Sequence, residues 1–407
     1  MSIVNINSKI TLPCGVTIKN RIAKSAMSEA MSKKFHAGKA FENLYQRWAE
    51  GGSGLVITGN IMIDRKALGE IGNIVFQHGI NDPSLKKWAE AGTKNNTHLW
   101  CQINHPGRQS PKFISPQPVA PSAVSLKPPM DKMFNTPKAL TEEEILDLIN
   151  KYVFAAKLAK DRGFSGVQIH GAHGYLVSQF LSPIANIRSD KWGGSIENRM
   201  RFACEIYKAM RGAVGDKYPI GIKLNSADFQ KGGFTKEESM IVVKTLSDLG
   251  VDLIEISGGT YENPVMMRGN KKQSTKKREA YFLDYCEEVR KVVKTPLLLT
   301  GGFRSTAGMN EALANGTCDM IGLARSLAID PNFSNDLLAG KDVKSAVKPL
   351  TTGFKFIDKI IPLEIIWYTE QLHLMGEGKK PNINRTASAA AWSMVCKLGK
   401  NVRKKMR

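Results

Sequence analysis

The sequence predicts an α/β chain folded as a (β/α)8 TIM barrel with a short helical C-terminal extension. Three observations predict it. Eight short runs rich in Val, Ile and Leu recur between residues 21 and 324. A longer segment of helical character separates each run from the next. No early G-x-G-x-x-G marks the first β/α turn, which disfavours the rival doubly wound open sheet.

The runs are "RIAKSA" (21–26), "GLVITG" (54–59), "HLWCQI" (98–103), "GVQIH" (166–170), "IGIKL" (220–224), "VDLIEIS" (251–257), "PLLLTGG" (296–302) and "DMIGLA" (319–324). They are continuously apolar rather than alternating, as suits strands buried on both faces of a parallel sheet. The clearest helix spans 140–164. Thr141 and Glu144 form a capping-box pattern. Ile145, Leu148, Ile149, Tyr152, Ala156 and Ala159 share one helical face, and Gly163 stands at the expected stop. Further helices are predicted over 195–212, 235–249, 278–294 and 305–315. Residues 1–340 form the barrel domain and 341–407 a helical, basic extension. Within it, "GFKFIDKIIPLEIIWYTEQLHL" (353–374) predicts one or two helices packed on the barrel. A membrane-surface or dimer-contact helix is the alternative. The prolines at 111, 116, 118, 121, 128, 129 and 137 predict a long irregular cover over the pocket.

The chain has 407 residues, 42% of them hydrophobic, enough for a large core, and a formal net charge of +21. Much of that charge sits in "RGNKKQSTKKRE" (268–279) and "KLGKNVRKKMR" (397–407), read as a solvated loop and tail. Attraction of nucleic acid or anionic lipid is the alternative there. The six cysteines form no C-x-x-C and no cluster, against a zinc or iron–sulfur site. No signal peptide and no apolar stretch of spanning length is found. A cytoplasmic enzyme is expected, with no nucleic-acid partner, no transmembrane segment, and compatible with a homo-oligomer.

Active sites of such barrels lie at the C-terminal ends of the strands. Those ends supply Ser25, Ala26, Met27 and Ser28, then Gly59, Gln102 with His105, and His170, His173 and Tyr175. The later strands add Lys223 and Asn225, Ser257 to Gly259, Gly301 and Gly302, and Ala324 and Arg325. The list is rich in hydrogen-bonding groups and nearly free of carboxylates. Gly301, Gly302 and Arg325 stand where barrels hold phosphate, with Arg325 able to make a charge-assisted contact. A tight turn and a surface ion pair are the plainer alternatives. Gln102 both donates and accepts. Lys223 suits a ring that becomes anionic on reduction, a Schiff base, or a salt bridge to Asp228 or Glu255. His170 and His173, with His105 as a third, make a poor metal set without a carboxylate. They can instead hydrogen-bond one oxygen on which negative charge grows, with Tyr175 as general acid. Plain packing of His170 and Tyr175 is the remaining possibility.

Over residues 5–340 the chain resembles the Old Yellow Enzyme family of FMN-dependent ene-reductases. The most specific stretch is "GVQIHGAHGYLVSQFLSPIANIRSDKWGGSIENRMRF" (166–202), supported by "KNRIAKSAMS", "AEGGSGLVITG", "QINHPGRQS", "LTGGFRS" and "IGLARSLAIDP". The resemblance implies FMN as cofactor and NADH or NADPH as hydride donor. The phosphate would meet Gly301, Gly302, Ala324 and Arg325, and Lys223 and Gln102 would face the pyrimidine edge. Ser25 to Ser28 and Gly59 would line the flavin. His170 and His173 would hold the carbonyl of an activated alkene, the small-molecule partner, and Tyr175 would protonate its α-carbon. Four positions depart from the family pattern: Ser28 for Thr or Cys, Lys223 for Arg, Ala324 for Gly and Ala26 for Pro. Lys223 keeps the charge and loses the bidentate fork. The iron–sulfur segment and second nucleotide domain of larger relatives are not found, so a single-cofactor architecture is expected. The alternatives are a flavin enzyme that reduces oxygen or a quinone, a phosphosugar aldolase built on Lys223, and an interaction module in the basic tail.

Overall fold

The computed structural model describes residues 3–263, 280, 282–354, 358 and 362–393. Both basic stretches, 268–279 and 397–407, lie outside the described residues. All eight apolar runs form strands: β1 (Ile22–Lys24), β2 (Leu55–Met62), β3 (His98–Asn104), β4 (Gly166–Gly171), β5 (Ile220–Asn225), β6 (Leu253–Ser257), β7 (Leu297–Thr300) and β8 (Met320–Leu323). Neighbours pair in parallel, and β1 pairs with both β2 and β8. The sheet therefore closes on itself as an eight-stranded barrel. Every residue of β4, β5 and β6 is buried, which is why these strands read as unbroken apolar runs.

Helices surround the barrel. Glu142–Asp161 carries the expected capping box of Thr141 and Glu144, and Lys236–Asp248 carries a second one of Thr235 and Glu238. Ile196–Val214 and Thr306–Ala314 each begin at a serine cap. The helix expected over 278–294 is shorter, Leu283–Arg290. Gly38–Glu50 and Leu85–Gly92 complete the early part of the ring.

The barrel interior is layered. At the N-terminal end, a hairpin of Ile10–Thr11 and Thr17–Ile18 packs against Ala23, Leu55, Leu253, Leu298 and Met320. Trp100 fills the middle. Cβ atoms at Gly166 and Gly221 would lie 2.5 and 2.9 Å from its ring, so glycine at both places makes its room. Above it the fill turns polar, with Ser25, Gln102, Gln168, Lys223, Glu255 and Thr300 all buried. That change from apolar floor to polar ceiling marks the end that holds the site.

The C-terminal extension contributes the helix Leu363–Gly376, whose N-cap is Pro362. It lies along the helix Gly38–Glu50. Asn43 Nδ2 donates to the Gly376 carbonyl at 2.9 Å, and His373 Nε2 donates to the Glu29 carbonyl at 2.8 Å. Among the described residues, no helix is long and apolar enough to cross a membrane.

Candidate active site

At the C-terminal rim lies a cavity of about 310 Å³. Strand ends supply one side of it: Ala26, Met27 and Ser28 after β1, Gln102 on β3, His170, His173 and Tyr175 from β4, and Lys223 on β5. Gly301, Ala324 and Arg325 line it after β7 and β8, and a smaller adjoining cavity of about 60 Å³ adds Gly302. Two of the expected residues lie elsewhere. Ser25 is buried beneath the cavity, its hydroxyl 2.7 Å from that of Thr300. Gly59 gives its N–H to Glu29 at 2.8 Å, and a Cβ there would strike the Glu29 carboxylate.

Sheet register explains why the strand-end residues meet. Lys223 stands opposite His170 on one side and Glu255 on the other. Its Nζ is 3.0 Å from Glu255 Oε1, and both side chains are almost fully buried. Of the two salt bridges weighed from sequence, Glu255 is the partner. Asp228 is taken by Ser182, Phe234 and Asn225. Gln102 stands opposite Gln168, donates to it at 2.7 Å, and Gln168 donates in turn to Glu255 at 2.8 Å. This arrangement leaves Gln102 Oε1 open as an acceptor.

The histidine loop is held by its own backbone. His173 and Gly174 both have positive φ, 61° and 76°, and Asn225 Oδ1 accepts the His173 N–H at 3.1 Å. The two imidazole centroids are 5.0 Å apart and nearly perpendicular, with the Tyr175 ring 4.9 Å from that of His170. His170 Nδ1 accepts the Ala172 N–H at 3.3 Å. A neutral imidazole accepting at Nδ1 carries its hydrogen on Nε2. His173 Nε2 lies 2.8 Å from Ser257 Oγ. With Ser257 donating, the His173 hydrogen sits on Nδ1. Burial drives both imidazoles well below the usual value, with Lys223 pushing the same way. They stand ready as neutral donors. Tyr175 donates or accepts at 2.6 Å with Tyr261, and burial followed by that neighbour raises its phenol well above the usual value.

Two expectations need correction. The cavity does contain carboxylates: Glu70 and Glu364 line it, and Glu29 and Glu255 lie just below. The proline-rich stretch 110–140 does not line the cavity. Its outer wall is instead the helix Leu363–Gly376, through Glu364, Ile365, Tyr368 and Thr369. The ion pair weighed as the alternative for Arg325 is present, its guanidinium donating to both oxygens of Glu364 at 3.1 and 3.0 Å. Asn60 and Tyr261 also line the cavity and were not among the expected residues, although Asn60 directly follows Gly59 and Tyr261 lies two residues beyond Gly259. Glu70 and Glu364 carry no local signal at all.

The long distinctive stretch after β4 is mostly scaffold. Asn186 Nδ2 donates to the Phe180 and Trp192 carbonyls, and Arg188 to those of Pro121 and Leu140. Arg199 donates to the Leu181 and Gly194 carbonyls and pairs with Glu238. These bonds fix the loop that carries Tyr175 onto the barrel.

The family model for the NADH:flavin oxidoreductase / NADH oxidase family matches residues 10–342. The chain belongs to that family. It is similar to NADH-dependent flavin oxidoreductase iliE of Hypocrea jecorina, 36% identical, covering 85% of this chain and 92% of that one. It is also similar to the NADH oxidase of Thermoanaerobacter brockii, 34% identical, covering 80% of this chain and 50% of that one. The chain spans 46% of the iliE relative from Neonectria. Among solved structures, a 2-naphthoyl-CoA reductase complex superposes with a TM-score of 0.76 at 27% identity, covering 84% of this chain and 53% of that chain. Morphinone reductase, at 22% identity, shares the fold with a TM-score of 0.70 over 84% of this chain and 91% of its own. The flavin oxidoreductase family expected from the sequence is thereby shown. The protein is a flavin-dependent NAD(P)H oxidoreductase with FMN as cofactor.

The residues present fit FMN. Gly301 and Gly302 have φ of 108° and 101°, a conformation that side chains disfavour. They bring bare backbone to the small cavity beside Arg325, as a phosphate requires. Gln102 Oε1 is an open acceptor for a ring N–H, and Lys223 supplies a cation at the same rim.

Proposed function

We propose that the protein is an ene-reductase, reducing the C=C bond of an α,β-unsaturated carbonyl compound at the expense of NADH or NADPH. The observation that carries this reading is the convergence of His170, His173 and Tyr175 on one cavity with Gln102 and Lys223. Gly301, Gly302, Ala324 and Arg325 would hold the FMN phosphate, and Gln102 and Lys223 the pyrimidine edge. FMN, when bound, accepts a hydride from the nicotinamide and returns one to the β-carbon of the alkene. His170, through Nε2–H, and His173 donate hydrogen bonds to the carbonyl oxygen. Negative charge grows there as the β-carbon takes the hydride, so these bonds strengthen toward the transition state. Tyr175 then gives its phenolic proton to the α-carbon, its hydroxyl held in place by Tyr261 and by the Asn60 amide. Lys223 cannot easily serve as a Schiff base, because its ammonium is bound to the buried Glu255. The described cysteines are unpaired, which supports the cytoplasm as the compartment.

The test is anaerobic. The purified yellow protein should be bleached by NADH or NADPH and recoloured by 2-cyclohexenone. Recolouring by oxygen or a quinone, with none by any enone, would instead support the oxidase or quinone reductase activity suggested by the Thermoanaerobacter relative's name.

A further inference from the structure

One ionisable side chain in the cavity plays no part in this scheme. Glu70 Oε1 accepts from Ser28 Oγ and from Asn73 Nδ2. Its Oε2 has no hydrogen-bond partner among the described residues, and the side chain lines the cavity. The other charges of the rim are matched, Lys223 by Glu255 and Arg325 by Glu364. Among the described residues, Glu70 has no such cation. Glu70 lines the cavity together with Tyr175 and Tyr261, and its charge pushes both phenols up. Burial, reinforced by Glu29, pushes its carboxyl up to about 7, so without a ligand the protonated form is favoured and a donor held at Oε2 favours the ionised one.

A carboxylate on a cavity wall, with no cation beside it among the described residues, is an acceptor for a charged or neutral donor on a ligand. We propose that the alkene substrate carries a hydrogen-bond donor, a hydroxyl or an ammonium, that Glu70 Oε2 receives while the carbonyl sits on His170 and His173. A cyclic or open-chain enone bearing only hydrocarbon would leave that acceptor unmet. This inference rests on the ene-reductase reading for the carbonyl end alone. The donor end stands on Glu70.

The experiment separates the two. Saturated ketones cannot undergo the alkene reaction, so their binding reports recognition only. Cyclohexanone, 4-hydroxycyclohexanone and 4-(aminomethyl)cyclohexanone are titrated into the FMN-loaded full-length protein, and the flavin absorbance change gives each Kd. At least one donor-bearing ketone should bind about tenfold more tightly than cyclohexanone, the factor carried by 1.4 kcal/mol. Preference for the hydroxyl identifies a neutral donor, and preference for the amine a cation. Glu70→Ala should bind all three alike. Glu70→Gln, which keeps the shape and an amide oxygen, should retain part of a hydroxyl preference and lose an ammonium preference. It also serves should the alanine variant fail to retain flavin. Equal affinities in the wild type, or an unchanged preference in both Glu70 variants, would overturn the proposal. Discrimination among ketones without reduction of any matching enone would sink the ene-reductase reading and leave the donor site standing.

Discussion

The cavity has two unlike walls. One is made of strand ends, where Gln102, His170 and Lys223 leave a rigid sheet in fixed register. The other is made of parts brought from far along the chain: Glu70 on a loop, and Glu364 and Tyr368 on the helix Leu363–Gly376. The first wall carries the imidazoles and the phenol to which the proposed reaction assigns hydrogen-bond and proton donation. The second carries carboxylates, Glu364 ion-paired and Glu70 without a cation among the described residues. The contrast teaches that the reaction chemistry is tied to the sheet, whereas the choice of ligand is assigned to elements that can vary without disturbing it.

Breaking the first wall should therefore have the largest effects. Tyr175→Phe removes the proton donor. The recolouring of reduced enzyme by enone should slow about 10²- to 10⁴-fold, the usual worth of general acid catalysis. Bleaching by NADH should change little, and stopped-flow absorbance measures both halves. His170→Ala removes one oxyanion donor, for a loss of about 10²- to 10³-fold in the same half-reaction. Because burial keeps His170 and His173 neutral, their protonation should not appear in the rate profile between pH 6 and 8. A sharp imidazole step in that range would contradict the neutral-donor assignment.

The ion pair between the walls comes next. Arg325→Met should weaken FMN retention about 10- to 100-fold, the worth of a charge-assisted hydrogen bond. Glu364→Gln frees the guanidinium and should tighten it or leave it unaltered. Fluorimetric titration of released flavin decides, and equal losses in both variants would mean that the pair acts only as a structural clamp.

Glu70 gives a smaller, pH-dependent signature. Its carboxyl is raised from 4.5 to about 7, so the folded state holds a proton that the unfolded chain has released. The stability this gives is present below the unfolded value and is lost as pH rises to about 7. Flavin-stripped wild type should lose about 1–2 kcal/mol relative to Glu70→Gln between pH 4.5 and 7.5, a figure reduced for partial solvent access. Denaturant melts at the two pH values measure it. The smallest effect is expected at the far wall: Tyr368→Phe keeps the ring that packs on Trp367 at 4.9 Å and should shift KM for an enone less than about threefold.

The legible part of the molecule follows from locality. Each strand of the barrel announced itself, because burial on both faces demands an unbroken apolar run. The helix 142–161 was legible from its cap at Thr141 and from its buried face. The residues of "HGAHGY" were readable as a site because they end a strand, and the sheet dictates where strand ends point. Asn60 and Tyr261 were within reach of the same argument, one and two residues beyond the positions read.

The sequence by itself thus determined the barrel, its cofactor family and which side chains form the strand-end wall. Only the tertiary structure decided that Lys223 pairs with Glu255, that Arg325 is shared with Glu364, and that Glu70 lines the cavity with no cation beside it among the described residues. It also decided that the C-terminal helix, not the proline-rich loop, covers the site. Periodicity and register act over a few residues, but a contact such as Arg325 with Glu364 or Ser28 with Glu70 depends on how separate elements pack. No local pattern in the chain encodes that.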